Sequence, residues 1–165
     1  KEFEIVPDPR KSASQEDLKS QFDFLIKVRD QLSAANQAVI DIRAIKSQLN
    51  DLLRKIDSEH KDITKLILEI SNDLKHIEET LYQTQNESGQ DPLNFPIRLN
   101  NKMGYLGSIM AVGDNKPTDQ SLKFYNEIST EIDAELIKLE KIKTEDLEAL
   151  NKFISNKNIK AIKTK

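Results

Sequence analysis

The chain has no cysteine and no tryptophan, and only four glycines and five prolines among 165 residues. Without cysteine there is no disulfide and no thiolate, so thiol catalysis and cysteine-ligated metals are excluded, while the compartment stays open. Aromatic residues make up 5% of the chain, a profile that suits a helical bundle built on Leu and Ile better than a β-sandwich. No apolar run approaches the roughly 18 residues that a membrane-crossing helix needs, so no membrane span is expected. There is no excess of positive charge either. A net charge of −3 at pH 7 gives no general pull toward nucleic acid or anionic bilayers.

What is present is helical periodicity. Neither Gly nor Pro occurs between Ser12 and Gln85, so nothing in that stretch forces a break. Ser14 offers a capping hydroxyl with acids in the turn that follows. Leu25, Val28, Leu32, Ala35, Val39, Ile42, Leu49, Leu53 and Ile56 then keep 3-4 spacing, with Lys46 the one break and Ile45 beside it to fill in. The pattern predicts a helix of about 40 residues, on the order of 60 Å long. A break is expected near Asp57 to Glu59. A second helix follows through Ile63, Ile67, Ile70, Leu74, Ile77 and Leu81, fading into the polar loop QTQNESGQDP. Pro96 can occupy the first position of a short third helix, and Thr118, after Pro117, can cap a fourth that runs to Ser155. In that fourth helix the register slips between Lys143 and Asp146, where a kink is expected.

The fold class is therefore all-α. The second and third helices, at about 27 and 15 residues, together match the first at ~1.5 Å per residue. That favours an elongated bundle of three columns, one of them broken into two helices, over an up-down four-helix bundle. The opening KEFEIVPDPR does not read as a signal peptide. Phe3 and Ile5 alternate with Glu as a strand does, and two prolines then end it. A lone strand has no partner in a helical chain. Residues 1–12 are thus expected to be the end of a preceding β-domain, residues 13–155 the bundle, and residues 156–165 a frayed basic tail carrying Lys157, Lys160, Lys163 and Lys165.

Three of the glycines fall in NKMGYLGSIMAVGDNKPTDQS, Asn101 to Ser121, a stretch that invites comparison with a phosphate-binding loop. That loop needs its last glycine directly before Lys, and a strand ahead of it. Here Asp114 and Asn115 separate Gly113 from Lys116, and no strand precedes. A helical reading accounts for more. Leu99, Met103, Leu106 and Met110 form a large apolar face. Gly104, Gly107, Ser108 and Ala111 form a small one that lets a neighbouring backbone approach, so the helix is expected to be wedged between two others. Gly113 suits the left-handed position after a helix end.

The two histidines both sit in D-x-x-H, as Asp57–His60 and Asp73–His76. Di-metal bundles draw Glu-x-x-His from two different helices; here both pairs lie on or beside one helix, about four turns apart. They read as solvated polar residues, and a metal-binding bundle using Asp57, His60, Asp73 and His76 is the alternative. Glu78-Glu79 and Glu145-Asp146 are adjacent and point in different directions, so they make no acid–base pair. No nucleophile sits with a base and an orienting acid. No catalytic residue, metal or cofactor is called for. Phe24 and Phe124 lie off the main stripes and, if exposed, are candidates for contact with a neighbouring domain. Self-association through the long helices is a further option.

Four stretches together carry a resemblance: DPR at Asp8 to Arg10, QFDFLIKVRD at Gln21 to Asp30, PIRLNNKM at Pro96 to Met103, and the Gly113-Asp114 and Pro117-Thr118 pairs. The chain resembles the C-terminal helical region of large bacterial exported proteins with sortilin-type β-propeller repeats, often labelled glycosyl hydrolases of the BNR-repeat kind. The resemblance implies a non-catalytic structural or interaction domain that braces or docks the preceding propeller of the same polypeptide, in the periplasm, at the cell surface or secreted. Any hydrolase activity would belong to the propeller, with this region at most an accessory part.

Overall fold

The computed structural model describes residues 2, 3, 6, 9–57 and 59–157. Among them every regular element is a helix: α1 (Gln15–Lys55), α2 (Lys61–Leu81), a 3-10 turn (Asp91–Leu93), α3 (Leu99–Met110), α4 (Asp119–Lys141), a π segment (Ile142–Asp146) and α5 (Leu147–Asn156). The strand expected over Phe3 to Val6 includes Glu4 and Ile5, which lie outside the described residues, as does the basic tail beyond Lys157.

Helix α1 is a single run of 41 residues. Ser14 starts it with a reciprocal cap: its Oγ accepts the Asp17 N–H at 3.0 Å, and its own N–H donates to the Asp17 carboxylate at 3.0 Å. Such a cap is worth about 1 kcal/mol. Glu16 and Asp17 in the first turn and Arg54 and Lys55 in the last complement the helix dipole. The helix stops where Ile56 turns extended.

The other helices are arranged along this rod. Helix α3 runs antiparallel to its first half: Gln21 reaches the end of α3 at Met110, and Asn36 meets Asn100 near its start. Helix α2 runs antiparallel to the second half, with Arg43 and Lys46 meeting Glu78 near its end. Helices α2 and α3 barely touch each other. Helix α4 runs parallel to α1, as Gln31 bonds Asp133 at 2.7 Å and Asp41 receives Lys143 at 2.6 Å. Helix α5 extends α4 and brings Lys157 to within 3.2 Å of Asp62 at the start of α2. The core fills the space between these columns. Ile42, Ile67, Leu74, Met103 and Ile132 have no exposed surface, and burying a side chain of this size stabilises by about 1.5–3 kcal/mol.

Two boundaries depart from the sequence reading. Helix α2 has 21 residues and ends at Leu81. Pro96 does not start α3, which begins at Leu99 after Arg98. One residue accounts for both. The buried side chain of Gln83 donates to the Pro96 carbonyl at 2.7 Å and accepts the Gln85 N–H at 3.1 Å. It holds the chain extended after Tyr82 and ties down the far end of the loop, so Pro96 is structural through its carbonyl.

The register slip in the fourth helix is the π segment. The Leu147 N–H bonds the Ile142 carbonyl, five residues back. The apolar sequence steps from Ile142 to Leu147, one residue more than an α-turn accommodates. The wide turn absorbs that extra residue and returns Leu150 to the core, where it is 2% exposed.

Candidate functional site

The glycine-bearing helix comes first, because its geometry decides what that stretch can do. Leu99, Met103, Leu106 and Met110 are all buried, and α3 packs on α1 and α4. The glycines lie against α1. A β-carbon on Gly104 would stand 3.7 Å from Leu32 Cδ2, and one on Gly107 only 3.2 Å from Val28 Cγ1. Ser108 and Ala111, expected on the same packed face, are exposed; close approach needs the two glycines alone. Gly113 has φ +76°, the left-handed conformation that favours glycine. Gln21, buried on α1, donates to the carbonyls of both Met110 and Gly113 at 2.7 Å. It satisfies acceptors that the helix end leaves open. Pro117 is buried, and Thr118 Oγ1 accepts the Ser121 N–H at 3.2 Å to open α4. The glycines, the Met110 and Gly113 carbonyls and the Thr118 hydroxyl are thus engaged in folding.

The D-x-x-H residues are split. His60 precedes α2 and is half-buried; its carbonyl accepts the Thr64 N–H at 3.1 Å. Asp73 and His76, thirteen and sixteen residues on and about 20 and 24 Å away along the helix, are exposed. They line a cleft of about 300 Å³ between α2 and the π segment, together with Thr80, Glu135, Lys138 and Asp146. Glu135 is buried and receives Lys138 Nζ at 2.7 Å. Glu135 and Lys138 carry no signal in the sequence beyond the nearby register slip, while Asp146, adjacent to Glu145 in the sequence, meets its polar neighbours across the cleft instead. Among the described residues no group of three or more His, Asp or Glu is placed to hold a metal ion.

The most structured polar cluster lies elsewhere. The Glu78 side chain is 6% exposed and receives Arg43 Nε at 2.7 Å and Lys46 Nζ at 2.9 Å. Arg43 also stands over the Tyr82 ring, 5.0 Å from its centroid, a cation–π geometry. Burial pushes the Glu78 carboxyl up, but the hydrogen bonds from Arg43 and Lys46 outweigh it and hold the group below its ordinary value. Lys46, a mere interruption of the apolar stripe in the sequence, is thus half of a two-cation clasp between α1 and α2. The clasp fastens α1 to α2 through the buried Glu78 carboxylate.

Phe24 corrects an expectation. It is 4% exposed and packs edge-on against Tyr125, ring centroids 5.4 Å apart at 67°. It belongs to the core because α1 faces α4 as well as α3. Phe124, its companion candidate, is 39% exposed. Exposed apolar side chains gather at one end of the bundle, where α1 begins, α3 ends and α4 begins: Phe22, Tyr105, Ile109, Val112, Leu122 and Phe124. Lys157, the only described lysine of the basic tail, is taken up by Asp62 and by the Phe153 ring at 5.5 Å. No described helix is long and apolar enough to cross a membrane.

Compared with protein-family models, with characterised proteins and with solved structures, the chain matches none.

Proposed function

We propose that this chain is a non-catalytic helical brace: a rigid spacer that sets the position of neighbouring domains in a larger polypeptide. The observation that carries the reading is α1, one uninterrupted 41-residue helix flanked along its first half by α3, along its second by α2, and by α4 as far as the Lys143–Asp41 pair. Three of its buried polar side chains, Gln21, Glu78 and Gln83, are spent on a helix end, a helix pair and a loop. That is the chemistry of a part that must hold its shape. The resemblance to C-terminal regions of exported propeller proteins supports a place after a β-domain, with export to the periplasm or cell surface following from it.

Spin labels at Gln15 and Lys55 test the mechanical claim. A brace gives one narrow distance distribution near ~60 Å, as 1.5 Å per residue requires; a broad distribution refutes it. The competing reading is an enzyme accessory or metal-binding bundle using the π-segment cleft. Turnover of a glycoside, or stoichiometric binding of zinc or manganese, abolished by Asp73→Asn or Glu135→Gln would favour that reading and overturn the brace.

A further inference from the structure

The seam between α2 and the α4–α5 column has matched charges at one level and unmatched ones at another. Asp62, at the start of α2, receives Lys157 at 3.2 Å. Eleven residues on from Asp62 and eleven back from Lys157, the antiparallel register sets Asp73 level with Asp146, to within the residue that the π turn absorbs. Both line the cleft of about 300 Å³. Two carboxylates thus share one opening, and among the described residues neither has a cation partner. Other facing charges in the bundle are matched: Asp41 with Lys143, and Glu78 with Arg43 and Lys46. Like charges set against each other are unfavourable until a counter-charge joins them.

The rest of the cleft says what else the occupant carries. Its floor is Ile77 and Ile142, 3% and 5% exposed. Beside them, about 7 Å along the helix from the level of Asp146, Lys141 is exposed and has no partner among the described residues. Lys138 adds no free charge, because its ammonium is spent on the buried Glu135. The unmatched groups are therefore two carboxylates at one end and a lysine at the other, with an apolar strip between. A hard metal ion is a poor occupant, since it takes six or more oxygen ligands and no described group of three or more His, Asp or Glu is placed to hold one. An ammonium has three donors, which two carboxylates and solvent can meet. The π segment that opens the cleft is a wide turn of the kind that recurs at functional sites. The volume is at the lower end for small-molecule sites, roughly 300–1,000 Å³.

We propose that this cleft binds a small, elongated zwitterion of the ω-amino acid class. Its ammonium lies between Asp73 and Asp146, its methylene chain over Ile77 and Ile142, and its carboxylate on Lys141. The proposal goes beyond the brace reading and does not rest on it. The spin-label distance along α1 tests the brace, and a ligand titration tests the cleft.

The test follows the amide chemical shifts of the nitrogen-15-labelled chain on titration with 6-aminohexanoate at low salt. The expected result is saturable shifts confined to residues 73–80 and 138–147. Affinity should be several-fold higher than for pentylamine or hexanoate, each of which carries only one of the two charges. Asp146→Asn should weaken 6-aminohexanoate roughly two- to fivefold, the range for one exposed charge pair, and adding Asp73→Asn should abolish saturation. Lys141→Gln should lower 6-aminohexanoate to the level of pentylamine and leave pentylamine unchanged. Asp73 and Lys141 are exposed and Asp146 is half-buried, so these near-isosteric variants should keep the parent's Tm. Lys65→Gln, on the exposed face of α2, is a control that should bind as the parent does. Hexanoate or pentylamine binding as tightly as 6-aminohexanoate, shifts spread over the whole surface, shifts indifferent to the variants, or no saturable shift would each overturn the proposal.

Discussion

The two glycines of α3 lie one turn apart on the same face, yet the structure gives them different responses to alanine. In a helix interior Gly→Ala is worth about 0.8–1 kcal/mol through backbone propensity. At Gly104 the added methyl meets Leu32 Cδ2 at 3.7 Å, an ordinary contact with the end of a flexible side chain. Gly104→Ala should therefore keep most of the gain and stabilise by about 0.5–1 kcal/mol, raising Tm by roughly 1–4 °C in a chain of this size. At Gly107 the methyl would stand 3.2 Å from Val28 Cγ1. Val28 is 2% exposed and, being β-branched in a helix, has one strongly preferred rotamer. It cannot turn aside, so α1 and α3 must separate by a few tenths of an ångström. That strain cancels the propensity gain, and Gly107→Ala should fall about 1 kcal/mol or more below Gly104→Ala. Urea unfolding followed by circular dichroism measures both. The double variant Gly107→Ala, Val28→Ala should show a favourable coupling, since removing the γ-carbons removes the clash. If Gly107→Ala stabilises as much as Gly104→Ala, the close approach of α3 to α1 is wrong. Gly104→Leu, which overfills the same space, should destabilise by about 1–3 kcal/mol.

Two further outcomes follow from buried polar groups. Glu78 has a folded-state pKa below its ordinary value, so the clasp contributes stability above the unfolded pKa and loses it as pH falls through the folded one. The stability difference between the parent and Glu78→Gln should thus be full at neutral pH and shrink as pH falls below the ordinary glutamate range; a difference that does not change with acidification refutes the ion-pair account. Gln21→Leu removes the donor that serves the Met110 and Gly113 carbonyls and should cost about 1–3 kcal/mol, with α3 amides exchanging faster than those of α2.

The all-α class, the start of α1 at Ser14, the break after Ile56, the cap at Thr118 and the left-handed Gly113 are all legible in the residues, because each is a local signal. What was not legible depends on a partner from another helix. Phe24 is the exception: four residues before Val28, it lies on the same helical stripe as Ala35 and Ile42, so its burial was legible once the stripe is traced through Val28 instead of Leu25. Lys46 looked like a defect because its reason, Glu78, is 32 residues away on α2. The early end of α2 has no Gly or Pro to announce it; the long-range hold of Gln83 on Pro96 sets it. The cleft beside the π segment needs α2 and α4 side by side before Asp73 and Asp146 can be seen to share it.

The near-absence of contact between α2 and α3 has a consequence for cooperativity. Each is fastened to its own half of α1, α2 by Glu78 and α3 by Gln21, and neither supports the other directly. A disturbance in one half reaches the other mainly through helices that traverse both, α1 and the α4–α5 column, with the Gln83–Pro96 bond the one described side-chain tie between the two partners. Amide protection in α2 and α3 should therefore respond separately to perturbations at Glu78 and at Gln21, with α1 as the shared spine.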